Sequence, residues 1–390
     1  VRRRLQEKLP PGSFCLCRFR ARDRLWCSGW SDGDNSVLFE QNKLRKWCMM
    51  KCMRKYLLVL FFVFVVVVSV GSFVAVRFRT APPPSLRKTT LQLNWVPQAQ
   101  FAGVFVAREK GFYREVGLDV EIKNYEEDLD QTRAVAEGKS DFGISTGTEV
   151  IVAIASGVGV RSVAAIYNTT PESFISLASS SIRSPADFRG KVLGIKGGNK
   201  EGRALYEALL AQAGLESSEV TFKNLDYSQT VPEDLANGRA DVVDAYRTDE
   251  TYQMEKAGLA YTLIAPETHN IEVYGDTIIT SPALIAEDPE LVARFVSATL
   301  RGWEYALSHE DEAVEITLPY AHADYTDVSL EKNILKESIP LVKPTRGSVV
   351  GMMHYAKWNK AVRQLEAAGL ITVGLVDAKD VYTTKFLPGE

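Results

Sequence analysis

A short segment occurs twice in this 390-residue chain, about a hundred residues apart. It begins at Ala136 as AEGKSDFGI and again at Ala236 as ANGRADVVD. In each copy a glycine ends a helical pattern, a basic residue follows, and an apolar strand begins. The strand then runs into a polar loop, at 145–149 in the first copy and 245–250 in the second. Because one α/β unit is built twice, the chain is predicted to form two similar lobes whose loops face a shared crevice.

A second informative stretch covers residues 91–122. Leucines alternate with polar residues at its start, and Pro97 then breaks the strand because proline lacks an amide donor. Apolar residues recur at helical spacing from Phe101 to Tyr113, and Gly117 stops the helix before an alternating strand. The polar loop is therefore expected at the carboxyl end of a parallel strand, where open α/β sheets bind ligands. Its side chains suit a planar, hydrogen-bonding small molecule better than a metal or a phosphate: Asn94, Trp95, Gln98 and Gln100.

The same stretch resembles a known protein family. The run NWVPQAQFAG from Asn94, followed by EKGFY from Glu109 and GLDV from Gly117, closely resembles the NMT1/THI5-like (SsuA/THI5-like) family of periplasmic substrate-binding proteins. The resemblance covers roughly Thr89 to Gly369 and continues in downstream motifs: EGKSDFG (137–143), SPADFRGK (184–191), TDE (248–250), YGDTIIT (274–280) and RGWEYAL (301–307). It implies a fold of periplasmic-binding-protein type II, with two lobes that are each a mixed or parallel sheet flanked by helices.

The resemblance also implies a function. The family includes ABC-transporter solute receptors for pyrimidine precursors of thiamine, so the chain is expected to bind such a heterocycle, or a related one such as riboflavin. It would deliver this ligand to an ABC permease and its ATPase. The alternative is a ligand-sensing domain with a separate membrane signalling partner, although such proteins normally continue into a second membrane helix and an output domain, which this chain is expected to lack. A third possibility is a thiamine-pyrimidine synthase, but the fungal enzymes use a cysteine-rich iron site, and no cysteine follows residue 52.

The lobe boundaries follow from the order of predicted strands and helices. The first lobe is expected to comprise residues 89–175 and 275–390, and the second lobe residues 176–274. The chain crosses to the second lobe at 174–178 and returns at 276–280. Two crossovers form a hinge, and hinged lobes close around ligands.

Candidate ligand-binding residues lie on the loops and crossovers: Asn94, Trp95, Gln98, Gln100, Phe101, Thr146, Thr148, Glu149, Tyr167, Gly198, Asn199, Tyr246, Asp249, Glu250, Tyr274 and Asp276. Trp95 either offers a stacking face or is a buried core residue. Glu149 either accepts hydrogen bonds from a heterocycle or only complements the dipole of the helix that begins there. The polar edge of the ligand is expected to meet Asn94, Gln98, Glu149 and Glu250.

The second lobe carries comparable groups. Tyr246 can stack on a ligand while Asp249 and Glu250 bind its amine, although carboxylates on loops are often only solvated. Backbone amides of residues 197–200 at a helix start can hold a carboxylate or a ring carbonyl. Tyr274 and Asp276 either contact a ligand from the return crossover or pack the hinge.

The sequence indicates no catalytic, metal or cofactor site. The four histidines are scattered without the spacing of metal ligands. The glycine-rich run KGGNKEG from Lys196 lacks the Gly-Lys-Ser/Thr ending of a nucleotide-binding loop. After the first 80 residues acidic side chains outnumber basic ones, which argues against nucleic-acid binding. A monomeric binding domain without enzymatic activity is therefore expected.

The amino-terminal quarter differs from the rest. The run from Leu57 to Val76 is nearly all apolar and long enough to cross a bilayer, with basic residues on both sides. Residues 53–80 are expected to be an uncleaved signal anchor, with a cleaved signal peptide as the alternative, and residues 81–88 a stiff proline-rich linker. The binding domain would then lie on the extracytoplasmic face of the membrane, periplasmic or at the cell surface. All five cysteines lie in residues 1–52, which are expected to be a non-native or disordered extension.

Overall fold

The computed structural model describes Met50, Met53 and residues 86–126 and 129–387. The predicted membrane run from Leu57 to Val76 lies outside the described residues, as does the N-terminal extension apart from Met50. Within the part that is described, no helix combines the length and the apolar character needed to cross a bilayer. The residues from Pro84 onward belong to one compact unit, which contains the fold and the site described below.

Ten strands form two sheets in this part of the chain. They are β1 (Arg87–Gln92), β2 (Leu118–Lys123), β3 (Phe142–Thr146), β4 (Arg161–Ala165), β5 (Glu172–Leu177), β6 (Val192–Lys196), β7 (Thr221–Leu225), β8 (Val242–Tyr246), β9 (Tyr261–Ile264) and β10 (Asp276–Thr280). The first sheet has the order β2-β1-β3-β10-β4, and the second has the order β7-β6-β8-β5-β9. In each sheet the three strands at one end are parallel, while the crossover strand, β10 or β5, is antiparallel to both of its neighbours. The prediction of two mixed α/β sheets is confirmed.

Helices flank both sheets. They are α1 (Ala102–Glu109), α2 (Phe112–Glu115), α3 (Gln131–Ala136), α4 (Gly147–Ala155), α5 (Lys200–Gln212), α6 (Val231–Ala236), α7 (Glu250–Lys256), α8 (Pro282–Glu287), α9 (Pro289–Ala306), α10 (Glu310–Thr317), α11 (Val328–Val342), α12 (Tyr355–Ala367) and α13 (Ala378–Val381). Short 3-10 turns occur at Ala99–Phe101, Pro185–Phe188, Ser217–Glu219, Pro266–His269 and Ala323–Tyr325.

The duplicated segment forms the same structure twice. Each copy is a helix (α3 or α6), a left-handed glycine and a strand (β3 or β8), and the glycines have φ of 71° at Gly138 and 63° at Gly238. An aspartate precedes each strand and accepts a backbone N–H from the neighbouring strand at 2.8 Å, Asp141 from β1 and Asp241 from β6. The two sheets are therefore built by the same local interactions, as the repeat predicted.

The chain crosses between the sheets twice, and the first crossover differs from its prediction. The strand β5 already pairs with β8 from Glu172 onward, so the second sheet begins before the expected boundary at residue 176. Glu172 is the first residue of β5 and is fully buried. Because a charged residue is not expected in a buried strand, the sequence did not indicate that β5 begins here. The return strand β10 has the predicted bounds, Asp276–Thr280.

The helix expected between Phe101 and Tyr113 is two helices. Its first turn is the 3-10 turn Ala99–Phe101, and α1 ends at Glu109. Gly111 then adopts a φ of 76°, a left-handed conformation that ends one helix before α2 begins. Gly117, at φ 78°, separates α2 from β2 as predicted.

The apolar core includes both late tryptophans, as predicted. Trp303 on α9 and Trp358 on α12 are each at most 2% exposed. α9 packs closely on α1, because neither Gly302 nor Gly103 carries a side chain where the helices meet. This packing fixes the position of the 3-10 turn before α1 and thereby of the polar loop after β1.

Candidate functional site

A cavity of about 260 Å³ lies where loops from both sheets meet. Most of its walls come from the carboxyl ends of parallel strands, the place where open α/β sheets bind ligands. Residues of the first sheet and its extensions line one side: Asn94, Trp95, Gln98, Gln100, Tyr125, Leu129, Gln131, Thr146, Glu149 and Tyr325. Residues of the second sheet line the other: Glu172, Lys196, Gly197, Gly198, Asn199, Lys200, Glu201, Tyr227, Asp244, Ala245, Tyr246, Thr248, Asp249 and Glu250. We call this cavity the cleft.

One carboxylate behind the cleft orients the amides on the first side. Asp276, at the start of β10, accepts a hydrogen bond from Asn94 Nδ2 at 2.9 Å and another from Gln100 Nε2 at 2.8 Å. Gln98 Nε2 in turn donates to Gln100 Oε1 at 3.4 Å. Burial raises the pKa of Asp276 to about 6, so it is mostly ionised at neutral pH and fixes which amide atoms point toward it. Asp276 is a supporting residue that does not itself line the cleft.

Glu149 is held by the start of α4. One of its oxygens accepts hydrogen bonds from Thr146 N, Ser145 Oγ and Gln131 Nε2, while Thr146 Oγ1 accepts from the Glu149 amide. This reciprocal arrangement is a capping box, so Glu149 has the structural role considered as the alternative for it. Burial nevertheless raises its pKa, and the side chain also borders the cleft.

The opposite wall is organised around Asn199. Its Oδ1 accepts from Gly202 N and caps α5, while its Nδ2 donates to Glu172 at 3.1 Å and to Asp244 at 3.0 Å. Two carboxyl groups from neighbouring strands are thus joined through one amide. Any side chain on Gly202 would collide with Asp244, which explains the glycine in the first turn of α5.

Lys196 stabilises the same wall of the cleft through contacts with the loop after β7 and with α6. Its ammonium donates to the backbone oxygens of Asp226 and Gln229, each at 2.6 Å, and pairs with Asp234 at 2.9 Å. These bonds use all three of its donors and fix the loop that follows β7. That loop carries Tyr227, whose ring packs directly over Gly197.

Aromatic rings from both sides of the cleft meet. The Trp95 ring lies 5.2 Å from that of Tyr125 and 5.5 Å from that of Tyr227, measured between centroids. Tyr325 contacts Trp95 and donates its hydroxyl to Asp249 at 3.0 Å. Trp95 is partly exposed and only borders the core, so its face is open to the cleft.

The cleft is strongly acidic. Burial raises the pKa of Asp244 to about 7 and holds those of Glu172, Glu201 and Glu250 well above their ordinary values, with neighbouring carboxylates adding to the effect. Burial also raises the pKa of Asp249. These carboxyl groups therefore keep their protons to higher pH than free carboxyl groups do, because burial and their acidic neighbours disfavour the charged forms.

The structure brings most of the candidate residues together at the cleft. Those that line it are Asn94, Trp95, Gln98, Gln100, Thr146, Glu149, Gly198, Asn199, Tyr246, Asp249 and Glu250. Their contact with a ligand stays a prediction.

Five candidates lie elsewhere, which corrects their expected position. Phe101 and Tyr167 are buried in the core of the first lobe, where the Tyr167 hydroxyl bonds Ser338. Tyr274 packs against Trp358 in a second core cluster. Thr148 borders a neighbouring cavity on the far side of α4, and Asp276 acts through the amides that it orients.

Several cleft residues escaped the sequence analysis, among them Tyr125, Glu172, Lys196, Tyr227, Asp244 and Tyr325. A signal existed for two of them. Tyr125 stands two residues after β2, and Tyr227 stands two residues after β7, the equivalent strand of the other sheet. The duplicated architecture could therefore have paired these tyrosines. The buried carboxylates gave no signal, because acidic residues are usually exposed.

The run GISTG at 143–147 fits a Gly-x-Ser-x-Gly spacing that the sequence analysis also missed. It spans the end of β3 and the start of α4, as a nucleophile elbow would. Ser145, however, is fully buried, and its hydroxyl donates to Glu149 instead of facing the cleft. The run therefore serves the capping of α4.

Two mixed sheets joined by two crossovers, with a cleft between their loops, define a protein of the periplasmic-binding-protein fold. Solved structures agree. The putative periplasmic sulfonate-binding protein SsuA from Methylobacillus flagellatus KT aligns with a TM-score of 0.58 and 18% identity, over 77% of this chain and 93% of that one. The aliphatic sulphonate-binding protein SsuA from Escherichia coli aligns with a TM-score of 0.57 and 14% identity, over 80% and 95%. At these identities the likeness concerns the fold alone.

Sequence relatives identify the family. Residues 98–313 match the family described as NMT1/THI5 like. The riboflavin-binding protein RibY of Chloroflexus aurantiacus is 32% identical over 315 residues, which cover 78% of this chain and 88% of that protein. The formylaminopyrimidine-binding protein of Halalkalibacterium halodurans is 24% identical over 77% and 91%. A 4-amino-5-hydroxymethyl-2-methylpyrimidine phosphate synthase of Legionella pneumophila is 26% identical over 77% and 92%. The chain belongs to the NMT1/THI5-like family, which confirms the resemblance.

Proposed function

We propose that this protein is the extracytoplasmic substrate-binding component of an ABC transporter and that it holds a small planar heterocycle in the cleft. One observation carries the proposal: aromatic rings from both sides, Trp95 and Tyr125 facing Tyr227, meet at the mouth of a cavity with a polar interior. Rings on both sides can enclose a flat ligand, and the polar groups between them can satisfy its edge.

The relatives support a heterocyclic ligand. Two of them are named as binding riboflavin and formylaminopyrimidine, and both ligands are planar nitrogen heterocycles. A pyrimidine precursor of thiamine or a flavin therefore suits the chemistry of the cleft, with its aromatic rings and polar groups. One relative is named a synthase, but no cysteine for an iron site of the fungal type follows residue 52 in this chain. We propose binding without catalysis.

Closure of the two lobes provides the mechanism of capture. Tyr325 and Asp249 already bond across the cleft, and Lys256 of α7 pairs with Asp327 at 2.7 Å beside them. The lobes move about the two crossovers, because these are their main covalent connections. A bound ring would join Trp95 to the second lobe and favour the closed state. The permease would then recognise the closed, monomeric domain.

The proposed location follows from the transport role. A solute receptor works outside the cytoplasm, on the periplasmic or cell-surface face, where it meets its ligand before the permease does. The apolar run from Leu57 to Val76 is our candidate for the anchor that keeps it at the membrane.

A thermal-unfolding screen of the full chain tests the function, because a ligand that binds only the folded state raises the midpoint. The panel is riboflavin, thiamine and 4-amino-5-hydroxymethyl-2-methylpyrimidine, with glutamate and leucine as unrelated compounds. A heterocycle is expected to raise the midpoint and the amino acids to leave it unchanged. Trp95→Ala and Glu149→Ala should each weaken that ligand by more than about tenfold, roughly the loss of one stacking or charge-assisted contact.

Two matched controls make this result specific to the cleft. Tyr355→Ala removes an exposed aromatic ring, and Glu290→Ala removes an exposed carboxylate from the first turn of α9. Neither should change the affinity. If Trp95→Ala and Glu149→Ala bind within twofold of the unaltered protein, the ligand does not occupy this cleft.

A further inference from the structure

Several acceptors on the walls of the cleft have no donor among the described residues. Four buried side-chain oxygens on its walls have no hydrogen-bond partner among the described residues: Asn94 Oδ1, Gln98 Oε1, Glu172 Oε1 and Glu250 Oε2. Two of these side chains are almost inaccessible, since Gln98 is 4% exposed and Glu172 is 0% exposed. A buried acceptor without a donor is costly, so a ligand that brings N–H or O–H donors to these oxygens would bind favourably.

The orientation of the amides is fixed by their partners. Asn94 Nδ2 and Gln100 Nε2 both point toward the carboxylate of Asp276, which accepts and cannot donate when ionised. The oxygen of Asn94 is therefore the atom of this amide that has no partner among the described residues. A ligand with N–H or O–H donors would supply the partner that the amide oxygens of Asn94 and Gln98 lack.

The ionisable side chains of the cleft also favour a cationic ligand. Among the described residues, six carboxyl groups line the cleft: Glu149, Glu172, Glu201, Asp244, Asp249 and Glu250. Two lysines face them, and the ammonium of Lys196 is already used by Asp226, Gln229 and Asp234. Lys200 remains on the rim, at the first position of α5. The cleft therefore holds more carboxyl groups than basic groups that could pair with them, and a positively charged ligand would favour their ionised form.

The aromatic rings favour an organic cation. The face of Trp95 and the rings of Tyr125 and Tyr227 carry the negative side of a ring quadrupole, which attracts cations such as quaternary or protonated nitrogens. A divalent metal would instead need several oxygen ligands converging on one point. Across residues 86–126 and 129–387, no three acidic, histidine or cysteine side chains are grouped in that way.

We propose that the cleft selects a cationic ligand, namely a planar amidinium, ammonium or N-heterocyclic cation bearing several N–H donors. This inference rests on the proposed function and narrows its ligand class. Glu172 and Asp244, joined by Asn199, face the N–H groups of the cation, Glu250 meets it from the start of α7, and the rings of Trp95 and Tyr227 cover its flat face.

Calorimetric titration of the full chain with a matched pair of probes tests this charge selection. Benzamidine and benzamide have the same ring, but benzamidine is a cation with N–H donors, whereas benzamide is neutral and presents a carbonyl acceptor. Benzamidine is expected to bind at least about tenfold more tightly, the difference that one charge-assisted hydrogen bond provides. Thiamine, a permanent cation, and riboflavin, a neutral ring, form a second pair of vitamin size.

Charge-neutralising variants show which residues cause the preference for benzamidine over benzamide. Glu172→Gln and Glu250→Gln keep the shape of the side chain and remove the charge, so the preference for benzamidine should fall several-fold in each. Glu290→Gln, on the exposed first turn of α9, is the control and should keep the full preference. Thermal midpoints near that of the unaltered protein show that the variants are folded.

The outcomes separate this inference from the proposed function. Riboflavin that binds in a Trp95-dependent way, without competition from benzamidine or thiamine, would overturn the inference and leave the function standing. Binding of Ca²⁺ or Mg²⁺ in competition with benzamidine would replace the organic cation by a metal and also overturn it. If no heterocycle of either charge binds, both proposals are wrong.

Discussion

Glu331 provides a quantitative test of the structure beside the cleft. It lies on α11 and is fully buried, and its Oε2 accepts a hydrogen bond from the Ala99 amide at 2.7 Å, in the turn that carries Gln98 and Gln100. Its other oxygen has no partner among the described residues. Burial raises the pKa of Glu331 to about 8. This carboxyl group is therefore mostly protonated in the folded protein at neutral pH.

The sign of the effect follows from the two pKa values. The unfolded chain loses this proton above the ordinary pKa of 4.5, whereas the folded chain keeps it until about 8. Glu331 therefore leaves the free energy of unfolding undiminished below pH 4.5 and lowers it progressively as the pH rises from 4.5 toward 8. Each pH unit above 4.5 lowers the free energy of unfolding by about 1.4 kcal/mol, so the loss reaches about 3 kcal/mol at pH 7.

Glu331→Gln removes this cost because its amide oxygen can still accept from Ala99 and has no proton to lose. The variant should match the unaltered protein near pH 4.5 and exceed its free energy of unfolding by about 2–3 kcal/mol at pH 7. Urea unfolding at several pH values measures the difference, and Glu337→Gln, a half-exposed position on the same helix, is the control. A difference that is independent of pH, or a variant less stable at pH 7, would refute the reasoning.

Three further predictions concern packing, support and pH. Gly302→Ala should lower the free energy of unfolding by about 1–3 kcal/mol in urea because its Cβ overlaps a backbone oxygen of α1, whereas Gly347→Ala has open space and should change it little. Lys196→Met leaves buried Asp234 with only Arg239, at 2.9 Å, as an ion-pair partner and frees two backbone oxygens of the loop after β7, so it should cost about 1–3 kcal/mol and speed proteolysis at residues 226–230. Unchanged cleavage would contradict this. Affinity for a cationic ligand should fall as the pH drops below about 7, where Asp244 gains a proton; calorimetry at pH 6 and 8 measures it, and equal affinities would oppose it.

Local patterns predicted the architecture well. The duplicated segment contains a helix end, a left-handed glycine and an apolar strand within a dozen residues, so its structure depends mostly on near neighbours. Gly138 and Gly238 therefore revealed two equivalent sheets. The break at Gly111 was missed because the apolar periodicity continues on both sides of it, and the break depends on one backbone conformation.

The site was less accessible to sequence reasoning, since it depends on which way a side chain faces. Tyr167 lies just after β4 and Tyr246 is the last residue of β8, yet the first is enclosed by the core and the second borders the cleft. Glu172 has a charged side chain, a type that is usually exposed, but it is buried in the acidic wall of the cleft. Such positions are decided by contacts between segments distant in the sequence, such as the bond from Asn199 to Asp244.

The most direct test of the account is a crystal structure of the full chain with thiamine or with whichever panel compound gives the largest thermal shift. The account predicts that the rings of Trp95 and Tyr227, now 5.5 Å apart between centroids, separate and take the ring of that compound between them, with its N–H groups within hydrogen-bond distance of Glu172 and Glu250. Density for the ligand at any other place, or at this place with its acceptor atoms facing these carboxylates, would contradict the proposed mode of recognition.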